Sequence, residues 1–596
     1  MSFTTSSSLT LPVGEDVKQD HTNMAGGNEH GSECNVTPPA RAFLLTHNLS
    51  SRTLVVSETT SQSHERPSTT ASSTDVGDDD DNDDGGDDDN DDDDEDGDGV
   101  AIPSKKGTRA YRYLRWNFGS VYRRIFTLAF LGNIAALVVV VVRSLLGGPS
   151  SRLTPGTCAT AVSANILAAL LIRNEHTVNA MFKVFFLFPA AGTPLAVRRA
   201  IAKIYSYGGI HSGCGVASFF WFVAFLVVLT GDFANPPNAI RAYILLDSYL
   251  LCALLAAIIG FAHPRARVLL HNWFEGTHRF LGWSVILLFW ALVMMLAEDD
   301  SSSSSSSSAP GVPYAAALVA TPSFWMLIAI TLLVAYPWTR LRLRDVEAEP
   351  MSDHVVKLNF DYADVHYGQA VRLTDAPLRE THAFAVIPNP AAPRTADDAE
   401  KARSGLSNAG KKGFSVLVSN AGDWTDKIIR NPPKKMWTRG VPQYGVLRVA
   451  GLFEPCIVVA TGSGIGPCLS LFVQKPDHPV RIVWSTQRPV ETYGQSVIDA
   501  LYRADPEAVI IDTRKTGRPD LVAITYRIWE ASRRRSRPAL GLAQGEGGDA
   551  AAAAARGKKT GPCEAVVIIS NQKVTRKVVY GLESRGIPAY GAIFDS

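Results

Sequence analysis

From Tyr111 onward the chain shows two hydrophobic textures, long apolar runs followed by short ones, and the change comes near Arg344. Six long runs lie near 125–146, 157–172, 213–229, 240–261, 280–296 and 315–338. All but the second approach the roughly 20 residues at 1.5 Å each that a helix needs to cross a bilayer. Past Arg344 the segments 355–362, 383–387, 414–418 and 445–449 are predicted as short strands punctuated by Gly and Pro, forming a small barrel. From Cys456 an apolar strand, a glycine turn and a helix follow, and 480–485, 508–512 and 565–570 supply further strands of a nucleotide-binding sheet. The stretches around 388–412 and 533–562 are low in complexity and predicted as surface loops. The fold class is therefore multi-domain, with an α-helical membrane bundle of about six helices followed by a β-barrel and an α/β domain. The divisions fall at 1–108, 109–344, 345–452 and 453–596.

Charge sharpens this division. The 58 basic and 58 acidic residues cancel over 596 positions, but they are segregated. The acidic run 78–98 lies in a Ser-, Thr-, Gly- and Asp-rich segment that cannot bury enough apolar area to offset chain entropy, so 1–108 is expected to be a solvated tail. Arg112, Arg115, Arg123 and Arg124 precede the first span, and Arg173 ends the second. Arg198, Arg199 and Lys203 precede the third, Arg265 and Arg267 follow the fourth, and Arg340, Arg342 and Arg344 follow the sixth. All fall on one side if both termini are cytosolic, leaving 232–238 and 301–308 on the other. The apolar segment 181–189 is too short to span and is expected at the cytosolic interface. The first residues lack a basic region followed by an apolar stretch, so no cleaved signal peptide is expected. Cys34, Cys158, Cys214, Cys252, Cys456, Cys468 and Cys563 include no CxxC pair, which argues against an iron–sulfur cluster, a structural zinc or a disulfide framework. The bilayer and an unidentified electron acceptor are the expected partners, with no nucleic acid; the oligomeric state stays open.

The strongest chemical signal is Cys456-Ile-Val-Val-Ala-Thr-Gly-Ser-Gly-Ile-Gly-Pro467. Thr461, Gly462, Ser463, Gly464, Ile465, Gly466 and Pro467 carry a strand into a helix through a turn whose backbone N–H groups can approach a pyrophosphate. Its T-G-S-G-I-G-P string is similar to the nicotinamide-nucleotide half of the ferredoxin reductase superfamily. His382-Ala-Phe-Ala385 resembles the H-P-F-S/T flavin motif of ferric reductases and NADPH oxidases, with the proline and hydroxyl replaced. Gly422-Asp-Trp-Thr425 resembles that family's G-x-W-[ST] element, where a helix N-terminus would receive the FAD pyrophosphate. The resemblance implies FAD against His382, Phe384, Ala385, Gly422, Trp424 and Thr425. Arg488, Arg514 and Lys515 are cations available to the 2′-phosphate of NADPH, which favours NADPH over NADH. The superfamily places Ser570 and the C-terminal Phe594 near the flavin; this chain has Ile569-Ser570-Asn571 where relatives carry Cys-Gly.

In ferric reductases and NADPH oxidases the third and fifth helices each carry two histidines that hold two haems. Here His211 and His278 supply one each, and fourteen residues further on stand Phe225 and Leu292. Two readings remain open for the pair: a single haem b, or interfacial hydrogen bonding helped by Gly208, Gly209, Gly213 and Gly215. His176, His263 and His271 are expected to be surface groups. Together, Tyr207–Gly215, Arg173–His176 and His271–Trp283 resemble the fungal integral membrane proteins of the TmpA type, haem-poor relatives of ferric reductases. That resemblance implies a membrane-bound oxidoreductase passing electrons from NAD(P)H to FAD and on to an unidentified acceptor. The rivals are a non-catalytic membrane redox or nucleotide sensor, and a haem-containing transmembrane ferric reductase. The last needs two haems and fails on Phe225 and Leu292.

Overall fold

Helix Val121–Leu146 is apolar along its length, yet buries none of its residues, so its surface suits lipid rather than water. The structure, a computed structural model, describes residues 102–148, 151–188, 190–233, 239–305, 313–390, 412–535 and 561–592, all within one unit, Gly97–Ser596. The acidic run, Phe594 and most of the two low-complexity stretches lie outside the described residues.

In chain order the helices are α1 (Arg109–Asn117), α2 (Val121–Leu146), α3 (Pro155–Leu171), α4 (Glu175–Phe185), α5 (Leu195–Ile201), α6 (Gly208–Phe233), α7 (Ala239–Ala262), α8 (Pro264–Leu269), α9 (His271–Ser305), α10 (Tyr314–Ala320) and α11 (Pro322–Thr339). Among the described residues five helical segments are long and apolar enough to cross a membrane. The number is six if α3 and α4, bent by 67°, count as one broken span. Leu246, Leu287 and Leu332 stand 64–70% exposed on α7, α9 and α11, as a lipid-facing surface requires. Inside the bundle Asn133 accepts from Asn165 (2.7 Å) and from the Trp221 indole (3.1 Å), tying α2, α3 and α6 together. A Cβ on Gly209 would sit 2.4 Å from the Tyr122 carbonyl oxygen, so α6 meets α2 backbone to backbone there.

Two expectations for this half change. The run 315–338 is broken at Thr321, because Pro322 supplies no N–H and disfavours helix at the residue before it. The segment 181–189 is apolar surface only in part: Phe182 is buried, with Val178 of the same helix, against Tyr444 of the barrel, the Phe182 and Tyr444 rings 5.7 Å apart, while Val184, Phe185, Leu187 and Phe188 stand 40–77% exposed.

The barrel is two four-stranded antiparallel sheets, built from β1 (Arg342–Asp345), β2 (Glu347–Ser352), β3 (Val355–Phe360), β4 (Gln369–Thr374), β5 (His382–Ala385), β6 (Ile387–Pro388), β7 (Phe414–Ser419) and β8 (Lys435–Tyr444). Their orders are β1-β8-β4-β5 and β2-β3-β7-β6, closed over Val356, Leu358, Val371, Val416 and Met436. The predicted strand 445–449 is a 3₁₀ segment instead, Val446–Leu452. Its apolar residues face the core, while Arg448 lies over the rings of Tyr367 (4.1 Å) and Tyr444 (4.8 Å). Then β9 (Cys456–Thr461), β10 (Val480–Thr486), β11 (Val509–Asp512), β12 (Ala565–Ile569) and β13 (Ala589–Gly591) form one fully parallel sheet in the order β11-β10-β9-β12-β13.

Both the barrel and the α/β domain are bolted to the bundle. Glu175, buried at the start of α4, pairs with Arg372 of β4 and accepts the Val441 N–H at 2.8 Å. Arg198 of α5 makes a two-pronged pair with Glu564 (2.5 and 2.8 Å), and Lys203 pairs with Glu583 (2.9 Å). Arg198, Arg199 and Lys203, which the sequence groups with the charges on one side of the bundle, all meet the α/β domain, and Arg198 is buried in that contact.

Candidate functional site

A parallel sheet ordered β11-β10-β9-β12-β13 reverses direction between β9 and β12, and ligands of such sheets bind at the carboxyl ends of the strands at that switch. The glycine turn lies there. Gly462 takes φ +47, a left-handed conformation that suits glycine. A Cβ on Gly464 would lie 2.2 Å from the Ile569 carbonyl oxygen, so the turn packs on β12 only because that side chain is missing. At Gly466 a Cβ would make ordinary contact with Leu417 at 3.6 Å, so space alone does not demand glycine there. The Trp484 indole donates to the Gly462 carbonyl (3.0 Å) and holds the turn from below. Helix Ile465–Gln474 starts with no side-chain cap, which leaves its first N–H groups and their field to an anion. Pro467 sits in the first turn, where its missing N–H costs nothing. Ser463 is exposed on the turn, and the hydroxyls of Thr461 and Ser570 meet at 2.5 Å across the switch. Burial pushes the Cys456 and Cys468 thiols up, so neither serves as a nucleophile.

Arg488 comes from the end of β10 to meet Arg514 and Lys515 at Asp512, which ends β11 just ahead of them. Its carboxylate accepts the backbone N–H groups of Arg488 (2.9 Å) and Arg514 (3.1 Å), while Lys515 Nζ lies 3.8 Å away. Arg514 is further held by Gln487 Oε1 (3.2 Å). Sequence reading missed Asp512; its position at a strand end ahead of Thr-Arg-Lys was the available signal.

On the barrel, His382 stacks on Trp424 with centroids 4.3 Å apart, and Phe384 lies 5.8 Å from the same indole. His382 Nε2 and Trp424 Nε1 are buried with no hydrogen-bond partner, an expensive arrangement unless a ligand supplies one. Ala385 pairs with Ala370 at the end of β5. Gly422 (φ +146) opens helix Asp423–Arg430, and the Thr425 hydroxyl is spent locally, donating to the Gly422 carbonyl and accepting from Ala421 N–H (2.8 Å each). The first turn also carries Asp423 and Asp426. Asp426 is engaged by Asn420 (3.1 Å) and Arg430 (2.9 Å), which moderates the repulsion this helix end offers a pyrophosphate.

His211 and His278 are brought together, their centroids 6.3 Å apart. His211 Nδ1 shares a hydrogen bond with the Ala169 carbonyl (2.9 Å), while His278 Nδ1 is buried without a partner. One turn before His278, Glu275 accepts from the Thr381 hydroxyl (3.2 Å), and Arg279 donates to the Leu378 (2.9 Å) and Arg379 (3.2 Å) carbonyls. These two residues, inside a stretch the sequence had singled out, tie α9 to the strand that starts at His382. His176 is exposed as expected, with Nε2 2.6 Å from the Tyr336 hydroxyl.

Comparison with known proteins gives one consistent result. A family profile for the C-terminal domain of adenylate-forming reductase 03009 matches residues 446–535 and 544–596. Adenylate-forming reductase 03009 of Coprinopsis cinerea is 39% identical over 495 residues, covering 83% of this chain and 42% of that protein. Adenylate-forming reductase 06235 of the same organism is 38% identical over 502 residues, again covering 83% and 42%. The chain thus spans under half the length of these relatives. Among solved structures, ferredoxin-NADP+ reductase from Plasmodium falciparum aligns with 43% of this chain and 96% of its own at 11% identity and a TM-score of 0.26. The ferredoxin reductase in carbazole 1,9a-dioxygenase aligns with 43% and 70%, also at 11% and 0.26. TM-scores this low carry no weight, and the strand order stands by itself.

Proposed function

We propose that the chain is a membrane-embedded flavin oxidoreductase that moves electrons from NAD(P)H through FAD to an acceptor at the cytosolic face. One observation carries this reading: an uncapped glycine turn packed on β12 at the sheet's switch point, beside a barrel whose aromatic shelf holds two orphaned nitrogens. The reductase named in the relatives agrees with it. Gly462, Gly464 and the first turn of helix Ile465–Gln474 would seat the dinucleotide phosphates, and Arg488, Arg514 and Lys515 would meet a 2′-phosphate. FAD, when bound, accepts hydride at its ring and releases electrons singly or in pairs. The shelf of His382, Phe384 and Trp424 would lie against that group, with His382 Nε2 and Trp424 Nε1 free to hydrogen-bond its polar atoms. The bundle, read as ferric-reductase-like and of the TmpA type, would fix the module on the cytosolic face, with both termini on that side. No step is routed through haem.

A flavin-binding sensor without turnover is the second reading, favoured by Ile569-Ser570-Asn571 in place of Cys-Gly. Steady-state NADPH oxidation by the detergent-purified chain, with added FAD and ferricyanide as artificial acceptor, separates the two. Turnover is expected. Trp424→Ala should bind FAD roughly tenfold more weakly, since aromatic stacking contributes about 0.5–1.5 kcal/mol per pair. Absence of turnover at saturating FAD would leave the sensor as the better account.

A further inference from the structure

Arg340-Leu-Arg-Leu-Arg344 begins one residue past α11 and continues as β1. Alternation along an extended strand sends every second side chain to one face, which Arg342 and Arg344 of β1 share, while Arg340 precedes the strand at the end of α11. Arg340, Arg342 and Arg344 line a cavity of about 240 Å³ closed by Tyr362, Thr438 and Gly440, and none of its lining residues is acidic. Among the described residues none of the three arginines pairs with a carboxylate, and Arg342 donates to the Thr339 (3.0 Å) and Leu341 (2.8 Å) carbonyls. Arg344 lies over the Tyr362 ring at 4.3 Å, with its Nε buried and unpartnered. The nearest acid along the strand, Asp345, alternates to the other face and pairs with Lys435 at 3.2 Å. Glu175, which touches Gly440, is already neutralised by Arg372. Burial raises the Tyr362 phenol, so it enters the cavity as a neutral group.

We propose that this cavity binds a phosphate monoester, supplied by the headgroup of an anionic lipid in the cytosolic leaflet. Guanidinium forks match phosphate oxygens in pairs, and three of them line this one cavity. Placement decides the source: the cavity opens where α11 ends, at the depth of lipid headgroups if α11 is a span. The lipid assignment rests on that reading, but the binding test needs neither flavin nor turnover, so the two can fail separately.

The full chain in detergent is titrated against a fluorescent dioctanoyl phosphatidylinositol phosphate, read by anisotropy, with inorganic phosphate as competitor. Saturable binding is expected, roughly tenfold or more weaker in Arg340→Gln/Arg344→Gln, with little displacement by inorganic phosphate at equal concentration. Arg340→Gln alone, at an exposed position, should weaken binding several-fold in a chain that still elutes as one symmetric species. No binding by the unaltered chain, or equal affinity in both variants, overturns the site. Displacement by inorganic phosphate at equal concentration overturns the lipid and leaves a free anion.

Discussion

At the scale of single residues, the nucleotide turn is the most constrained feature. Gly464 leaves no room for a methyl group against the Ile569 carbonyl, so Gly464→Ala must push the turn away from β12. A displacement near 1 Å in a reacting site costs about a hundredfold. We expect a loss of that order in kcat/KM for NADPH with flavin content unchanged, and an unaltered kcat/KM would remove the turn from the binding site. His478 carries a pH dependence of another kind. It is buried in the nucleotide domain beside the Ala450 carbonyl (3.2 Å), and burial holds its imidazole below the ordinary 6.5. A group whose folded pKa is depressed binds fewer protons folded than unfolded below 6.5. Its stabilising effect is therefore complete above that value and is lost as pH falls toward the folded pKa. Thermal unfolding between about pH 7.5 and 5.5 should show a steeper loss for the unaltered chain than for His478→Gln. Parallel curves would mean the imidazole is not held neutral by the fold.

At the scale of elements, α5 decides how the nucleotide domain sits. Arg198 and Glu564 have side chains 8% and 19% exposed, so removing one charge strands the other in a place with little water. Glu564→Gln should cost about 3 kcal/mol, read as a fall in the unfolding midpoint; a change within experimental scatter would mean the contact is loose in solution. This element also shows where sequence reading stops. Arg198 sits in a basic stretch beside an apolar run, and that pattern is the same for a charge facing water and for one buried in a partner domain. The apolar strands β9 and β12 were legible because both faces are covered, so they read as near-continuous hydrophobic runs, and β10 reads so apart from Arg481 and its Ser-Thr end. By contrast β1, β2 and β8 carry Arg, Glu, Lys and Pro and gave no run to find, while Val446–Leu452 gave a run and is not a strand. The glycine turn was visible in sequence because its chemistry is local. The stack of His382 on Trp424, and the arrival of Arg488 beside Asp512, Arg514 and Lys515, needed the tertiary fold to appear.

At the scale of the whole molecule, the bundle is joined at several points to the barrel and the α/β domain. Glu275 and Arg279 hold the segment just ahead of His382, and Glu175 holds β4 and β8, so the aromatic shelf of His382, Phe384 and Trp424 is referenced to α4 and α9. Arg439, crowded by burial and by Arg372 and Arg279, is held down to about 10 and lies over Trp338 (4.8 Å) at the same junction. A sensor and an enzyme would both benefit from such rigidity; electrons arriving on bound flavin distinguish them. The most direct measurement is the absorbance spectrum of the detergent-purified, FAD-loaded chain before and after NADPH is added without oxygen. Rapid bleaching of the flavin bands is the expected result. Flavin that stays oxidised with NADPH bound would contradict the account and make the chain a nucleotide-binding membrane protein without turnover.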